Sequence, residues 1–152
     1  MQSPVATVVD FLPEKLRRLA TPARVALLEQ FISFGLVGFA GLAVDLACVY
    51  GLRPFVNLYV AGMASYVVAS SVTYGLNRSL TFRSHVSQVA MWRQWVSFVA
   101  ANLAGFVLNR GTYAVLIFTF ARVAEHPVIA VCAGAVAGMF VNFTLSRRLV
   151  FR

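Results

Sequence analysis

The segment LNRSLTFR, residues 76–83, ends a long apolar run and begins the most polar internal part of the chain. It recurs at the end of the chain as LSRRLVFR, residues 145–152, with five of eight aligned positions identical and an offset of 69 residues. Upstream, QFISF at residues 30–34 aligns with QWVSF at residues 94–98, at an offset of 64. Two matches in the same order predict that the chain contains two copies of one structural unit.

The composition places these two units in a lipid bilayer. The chain has 152 residues, of which 60% are hydrophobic and 12% charged, and its mean hydropathy is +0.78. A soluble domain has about 25% charged residues, and one of this size could not bury so much apolar surface. The net charge of +8 could indicate nucleic-acid binding, but most of the charges flank apolar runs, which is typical of membrane topology. We therefore expect no nucleic-acid partner.

Four apolar runs are each long enough to cross a hydrocarbon core about 30 Å thick. They lie at about residues 31–52, 55–76, 95–121 and 127–145. Very short loops join the first run to the second and the third to the fourth, whereas residues 77–94 are expected to form a polar central loop. The sequence thus predicts an all-α integral membrane protein. Its four-helix transmembrane domain would cover residues 31–152 as two tandem two-helix repeats.

Residues 1–30 form a mixed segment ahead of this domain. Apolar side chains between Val8 and Leu19 could line one side of a short helix in the headgroup region, or the segment could be a partly ordered tail whose basic residues only fix topology. Thr21 followed by Pro22 is typical of an N-cap and the first residue of a helix.

Basic residues are distributed unequally between the ends of the predicted spans. Ten of the 13 Lys and Arg residues lie in the N-terminal segment, the central loop and the C-terminal tail, and two, Arg53 and Arg122, lie in the short loops. Because positive residues favour the cytoplasmic side, we expect both termini and the central loop on that side of an inner (cytoplasmic) membrane. Two-span repeats that insert in the same direction would be related by an axis along the membrane normal.

Each predicted span has one face of small or polar residues, which suits close helix packing in lipid. For the glycines and alanines, helix packing is the simpler explanation. In span order these faces are formed by Gly35, Gly38, Gly41 and Asp45; by Ala61, Ser65, Ala69, Thr73 and Asn77; by Asn102, Gly105, Asn109 and Thr112; and by Ala130, Gly134, Gly138, Asn142 and Ser146.

Two charged residues, Asp45 and Arg110, lie inside predicted spans. Each costs about 2.5–3.5 kcal/mol in hydrocarbon on insertion scales, so we expect both to face the bundle interior. The repeat places Asp45 and Asn109 at equivalent depths, and Arg110 follows Asn109, so an Asp45–Arg110 pair is geometrically plausible. Such a pair could lock the two hairpins together. Alternatively, Arg110 could bind an anion while Asp45 balances its charge or titrates during a transport cycle.

Arg78 and the pair Arg147–Arg148 lie at the predicted cytoplasmic ends of the second and fourth spans. They could fix topology and contact anionic lipids, or they could bind a phosphate, because guanidinium groups match phosphate oxygens in pairs. Asn77 and Asn142 could add hydrogen bonds to phosphate or sugar hydroxyls. The candidate binding residues are Asp45, Asn77, Arg78, Asn109, Arg110, Asn142, Arg147 and Arg148.

The sequence contains no recognisable catalytic or metal-binding motif: HExxH, CxxC, P-loop and GxSxG patterns are all absent. His85 and His126 lie in loops predicted on opposite sides of the membrane, so they could not share a metal ion. We therefore expect neither an enzyme nor a cofactor.

The ordered motifs resemble those of the GtrA-like family of small four-span membrane proteins. The resemblance covers about residues 28–152. It rests on FGLVG at 34–38, Asp45, NRSLTF at 77–82, VNF at 141–143 and RRLVF at 147–151. By position, Asp45, Asn77, Arg78, Asn142, Arg147 and Arg148 match the family motifs, whereas Arg110 is selected on physical grounds alone. The sequence departs from the pattern at Ser146, where the repeat and many relatives would have Asn.

This resemblance implies translocation of a polyprenyl-phosphate-linked monosaccharide across the cytoplasmic membrane, for cell-surface polysaccharide synthesis or glycosylation. Some related modules instead anchor a polyprenyl-phosphate glycosyltransferase, so a non-transporting adaptor is the alternative. A small-cation exporter of the four-helix multidrug type would favour an early acidic residue and little basic bias, which this sequence does not have. The expected partners are the lipid-linked sugar, anionic lipids, a membrane glycosyltransferase and further copies of the chain.

Overall fold

The computed structural model describes residues 7, 13–17, 20–83 and 89–151, and the regular structure in these ranges is entirely helical, as predicted. Two π-helical turns, Asn77–Thr81 and Ser146–Val150, continue the third and the sixth of the described helices without a break. These helices are α1 (Glu14–Arg17), α2 (Pro22–Leu52), α3 (Leu58–Leu76), α4 (Met91–Thr119), α5 (Ala121–Glu125) and α6 (Val128–Leu145).

Two of the long helices have the length and composition of membrane spans. They are Pro22–Leu52 and, with its π-helical turn included, Val128–Val150, with mean hydropathies of 2.0 and 2.1. Most of their side chains lie on the outer surface of the chain, as expected where lipid replaces water. The four-span topology and the cytoplasmic location of the termini stay predictions.

Helix α2 begins where the sequence signals indicated. Thr21 has the extended backbone of an N-cap, and Pro22 is the first helical residue, where its missing N–H removes no hydrogen bond. The helix therefore begins well before the predicted apolar span at residue 31. The amphipathic helix considered between Val8 and Leu19 falls mostly outside the described residues.

The central segment 77–94 was expected to form a polar loop, but both of its ends are helical, so this part of the prediction was wrong. Residues 77–81 continue α3 as a π-helical turn, and α4 already begins at Met91. The predicted spans stop on either side of this segment because its residues are polar. A polar side chain, however, does not interrupt the backbone hydrogen bonds of a helix. The segment is helical at both ends for this reason.

The helices form two hairpins, α2–α3 and α4–α6, and contacts within a hairpin far outnumber those between hairpins. We call the end where α2 and α4 begin and α3 and α6 end the basic end. The opposite end, with the connections at residues 53–57 and 120–127, is the hairpin end.

The repeated sequence motif forms a repeated structure at the basic end. In the first copy the Phe82 N–H donates to the Asn77 carbonyl oxygen at 2.8 Å, and in the second the Phe151 N–H donates to the Ser146 carbonyl oxygen at 2.9 Å. Both bonds span five residues, which is the spacing of a π-helix. Each turn directs its phenylalanine inward, and both phenylalanines are buried.

Aromatic rings from both hairpins meet in one buried layer at the basic end. Phe82 and Phe151, which are repeat equivalents, stack on each other with centroids 4.6 Å apart and planes 13° apart. Phe34 meets Phe82 edge-on at 6.2 Å, and its equivalent Phe98 meets Phe151 edge-on at 6.0 Å. The two copies thus share their ring contacts as well as their sequence motif, which supports the predicted two-copy organisation.

Tyr74 and Phe143 complete this aromatic layer as a third equivalent pair. The Tyr74 ring lies 5.7 Å from Phe98, and the Phe143 ring lies 5.7 Å from Phe34. Both contacts join one hairpin to the other. The aromatic layer is therefore the main connection between the hairpins, and it closes the basic end of the bundle.

Small residues bring the helices of each hairpin into close contact, as predicted. In the first hairpin, a methyl group added to Gly41 would overlap Cγ2 of Thr73. In the second, a methyl group on the equivalent Gly105 would overlap the amide of Asn142. Methyl groups on Gly134 and Gly138 would lie 2.6 and 2.8 Å from carbonyl oxygens of α4. The two hairpins thus use equivalent positions for packing.

Candidate functional site

A cavity of about 550 Å³ lies between the two hairpins and is lined by all four long helices. Along α2 its lining runs from Phe34 to Asp45, and along α4 from Phe98 to Asn109. Each run covers 12 residues, and the 11 steps between its ends correspond to about 16 Å of helix. The cavity therefore extends from the aromatic layer toward the hairpin end.

Four of the predicted site residues line this cavity: Asp45, Asn77, Asn109 and Asn142. Asn77 and Asn142 lie near the aromatic layer, and Asp45 and Asn109 lie at the opposite end of the cavity. The remaining lining is largely apolar. A few polar groups within apolar walls are typical of small-molecule sites, whose volumes are about 300–1,000 Å³.

Two of these asparagines carry unused hydrogen-bonding capacity. Asn77 is only 2% exposed, and neither its Oδ1 nor that of Asn142 has a hydrogen-bond partner within the described part of the chain. A buried acceptor without a donor is unfavourable by about 1–3 kcal/mol. Both oxygens are enclosed by protein atoms, so a ligand hydroxyl would reach them only after neighbouring groups moved.

Packing fixes the position of the Asn142 side chain. Its amide lies directly against Gly105 of α4, where a side chain of any size would displace it. Asn109, one turn further along α4, packs against Gly134 and Gly138 of α6. The glycines thus do more than bring helices together, because they make room for the polar groups that line the cavity.

Asp45 and Arg110 do not form the predicted ion pair within the described residues. Asp45 lines the cavity, whereas Arg110 is exposed on the outer surface of α4, with its guanidinium 5.7 Å from the ring centroid of Phe106. The physical reason is helix geometry: successive residues point about 100° apart, so turning Asn109 toward the cavity turns Arg110 away from it.

Arg78 lies at the basic end in a polar network rather than in the cavity. Its Nη1 donates to Oε1 of Gln94 and, at 3.2 Å, to the Tyr74 hydroxyl. The Tyr74 hydroxyl donates to the same Gln94 oxygen at 2.7 Å, and Gln94 Nε2 donates to the Val150 carbonyl oxygen at 2.8 Å. This network joins α3, α4 and the second π-helical turn, so Arg78 has a structural role in addition to any contact with a ligand.

Arg147 and Arg148 lie apart from both the cavity and this network. They are exposed and line a separate crevice between α2 and α6, together with Arg24. The structure therefore divides the eight predicted residues into a cavity group of four, an arginine pair at a lateral crevice, and two residues, Arg78 and Arg110, at separate positions.

Sequence reasoning did not assign Asn102 and Gln94 to a site. Asn102 lines the cavity about two turns from Asn109, and their seven-residue spacing on one helix face was the available signal. Gln94 is 2% exposed and organises the polar network. Its place in the repeated QFISF/QWVSF motif marked it, but a buried glutamine has no signature that reveals its partners.

Comparison with protein families identifies the family of this chain. The family model described as GtrA/DPMS, transmembrane domain, matches residues 33–152. This range contains the complete cavity lining and leaves out Arg24. No curated protein matches the chain. A transmembrane family together with two helices of spanning length and hydropathy identifies the chain as a membrane protein.

Proposed function

Because the chain belongs to the GtrA/DPMS transmembrane family, we propose that it moves a polyprenyl-phosphate-linked monosaccharide across the cytoplasmic membrane. The product would serve cell-surface polysaccharide synthesis or glycosylation. The observation that carries this proposal is the cavity between the hairpins, which places polar groups within otherwise apolar helices. A monosaccharide headgroup needs such a path, while its polyprenyl chain remains in hydrocarbon.

The chemistry of the cavity suits a sugar better than a phosphate. The amides of Asn77, Asn109 and Asn142 both donate and accept hydrogen bonds, and the Asp45 carboxylate accepts them. Sugar hydroxyls can satisfy both kinds of group. A phosphate would be repelled by Asp45, so in this proposal the negative charge of the lipid is bound by arginines outside the cavity.

The arrangement of the hairpins supports movement of the headgroup between them. The aromatic layer holds the hairpins together at the basic end, and the Tyr66 hydroxyl of α3 reaches the Val99 carbonyl oxygen of α4 at 3.4 Å. In this proposal, separation of the hairpins along the cavity admits the headgroup from the membrane side. The chain would lie in the inner membrane with its basic end toward the cytoplasm, in agreement with the distribution of arginines.

A vesicle assay tests this function. The purified full chain is reconstituted into proteoliposomes with a labelled polyprenyl-phosphate hexose, and the accessibility of the label on the outer face is followed over time. Exchange well above that of protein-free vesicles is expected, and Asp45→Asn should slow it at least tenfold, since the carboxylate is a stronger acceptor than the amide. Glu125→Gln, a matched change at an exposed position near the hairpin end, should leave exchange unchanged.

The same assay tests the remaining prediction about Arg110. Its guanidinium lies outside the cavity lining, so exchange that fails in Arg110→Gln would indicate an anion site on the outer surface of α4. If Arg110→Gln retains exchange, the path of the headgroup is restricted to the cavity. Exchange no faster than in protein-free vesicles, for the unmodified chain, would refute transport.

A non-transporting adaptor for a membrane glycosyltransferase is the second candidate. The observation in its favour is the set of exposed arginines at the basic end, which includes Arg83, Arg93, Arg147 and Arg148. An adaptor should bind such an enzyme stably in detergent, and should lose it when these arginines are replaced by glutamine. Co-purification without lipid exchange would favour this function over transport.

A further inference from the structure

The crevice between α2 and α6 at the basic end combines a basic mouth with apolar walls. It measures about 640 Å³. Arg24, Arg147 and Arg148 line it on the polar side, and the apolar side includes Leu28, Phe31 and Phe140. Within the described part of the chain, the guanidinium groups of Arg147 and Arg148 form neither an ion pair nor a hydrogen bond with another residue.

The guanidinium groups of Arg147 and Arg148 lie at one mouth and repel each other unless an anion lies between them. Guanidinium forks donate paired hydrogen bonds to phosphate oxygens, and the adjacent apolar wall suits a hydrocarbon chain. We propose that this crevice binds the phosphate group and the first isoprene units of the lipid-linked substrate; this inference rests on the proposed function. The phosphate would then be held apart from Asp45 while the sugar faces the cavity.

The position of the crevice next to the cavity selects this lipid over a bulk phospholipid. Phe143 lines the crevice and belongs to the aromatic layer, while the preceding residue, Asn142, lines the cavity. Likewise, Phe140 lines the crevice, and the preceding residue, Met139, lines the cavity. Neighbouring residues of α6 therefore line the crevice and the cavity, and Arg147 lies five residues, or about 7.5 Å along the helix, beyond Asn142.

The crevice lies between α2 of the first repeat and α6 of the second, whereas the equivalent surface, between α4 and α3, is closed. The positions equivalent to Phe31 and Phe140 are Trp95 and Ser71, and Trp95 Nε1 donates to Ser71 Oγ at 3.1 Å, which bridges the two helices. The equivalent of Arg147 is Arg78, whose guanidinium is already engaged by Gln94 and the Tyr74 hydroxyl. The chain thus provides one phosphate site, although its fold is duplicated.

A binding measurement without transport tests this proposal. The full chain, purified in detergent, is titrated with a short-chain polyprenyl monophosphate that carries no sugar. Hydrogen bonds to charged groups contribute about 1.5–3 kcal/mol, so Arg147→Gln combined with Arg148→Gln should weaken binding at least tenfold. Arg93→Gln, an exposed arginine of the same end whose guanidinium lies over the Trp92 ring at 5.3 Å, should leave binding unchanged.

A second variant keeps the arginines and fills the crevice with a larger side chain. Thr144 lines the crevice, and Thr144→Trp should weaken binding to a similar extent. Binding that is unchanged in both variants would overturn the proposal. Competition by phosphatidylglycerol at equal concentration would also overturn it, because the site would then be a general anionic-lipid site.

The vesicle assay separates this proposal from the proposed function. Normal exchange of the lipid-linked hexose by the double arginine variant would show that the substrate does not use this crevice, and transport itself would stand. Tight binding that depends on Arg147 and Arg148, with no exchange by the unmodified chain, would support the crevice and refute transport.

Discussion

Replacing Gly41 with alanine should destabilise the first hairpin through a single atomic overlap. A methyl group at this position would overlap Cγ2 of Thr73, and the next nearest atom, Thr73 Cβ, would be at 3.7 Å, an ordinary contact. The threonine cannot rotate freely, because its hydroxyl donates to the carbonyl oxygens of Ala69 at 2.9 Å and Ser70 at 3.1 Å. The conflict can be relieved only by separating the helices or by breaking these hydrogen bonds.

The size of the destabilisation depends on which of these two changes, helix separation or hydrogen-bond loss, relieves the overlap. Overpacking costs about 1–3 kcal/mol, and loss of a hydrogen bond costs about 0.5–1.5 kcal/mol. Alanine also gains about 0.8–1 kcal/mol over glycine in helix propensity. Gly51→Ala, on the same helix with no atom within 4 Å of the added methyl, shares this gain and serves as the control. Relative to this control, Gly41→Ala should lower the free energy of unfolding by about 0.5–1.5 kcal/mol, the cost of losing the hydrogen bond, which is the less costly of the two changes.

The free energy of unfolding can be measured by titrating the full chain in mixed detergent micelles with dodecyl sulfate. Thr73→Ser removes Cγ2 and keeps the hydroxyl, so Gly41→Ala should cost almost nothing in that background. Equal stabilities of Gly41→Ala and Gly51→Ala would refute the reasoning, as would a penalty that persists unchanged with Thr73→Ser. Either result would mean that α2 and α3 do not pack at this point.

Three further substitutions test other parts of the structure by the same titration. Gly105→Ala should lose about 1–3 kcal/mol, because its methyl overlaps a fixed amide of α6; an unaffected variant would contradict this packing. Gln94→Leu should be less stable than the control Gln30→Leu by about 1–3 kcal/mol. The reason is that Gln94 Oε1 accepts two hydrogen bonds, whereas the buried Oε1 of Gln30 has no partner in the described chain. Equal losses of stability would contradict the polar network. Phe82→Ala should lose about 3–5 kcal/mol from the stacked layer, whereas Phe118→Ala, 95% exposed, should stay within about 0.5 kcal/mol.

The repeated motif made much of the fold predictable. Equivalence of the segments at 76–83 and 145–152 placed Phe82 and Phe151 in corresponding positions, and the structure stacks them on each other. The three- and four-residue spacing of small and polar residues likewise identified the packing faces that contain Gly41 and Gly105. Periodicity succeeds here because a helix converts spacing in sequence directly into a shared face.

The arrangement of the site was only partly predictable, because spacing does not specify which neighbour a face meets. The repeat placed Asp45 and Asn109 at equivalent depths, and both line the cavity, but the Asp45–Arg110 pair that it made plausible is absent from the described residues. The division of the arginines also depends on side chains distant in sequence. Gln94 engages Arg78, and nothing equivalent engages Arg147 in the described chain.

The stacking of Phe82 on its own counterpart, Phe151, has an evolutionary consequence. In an ancestral homodimer of single hairpins, one gene would have supplied both rings, and every substitution would have appeared on both sides. Fusion of two such copies into one polypeptide would have ended that constraint. Tyr74 could then diverge from Phe143, and Asn77 from Ser146. A strictly symmetric ancestor would have had two equivalent grooves or none, whereas the fused chain keeps the crevice between α2 and α6 and bridges the equivalent surface with Trp95 and Ser71.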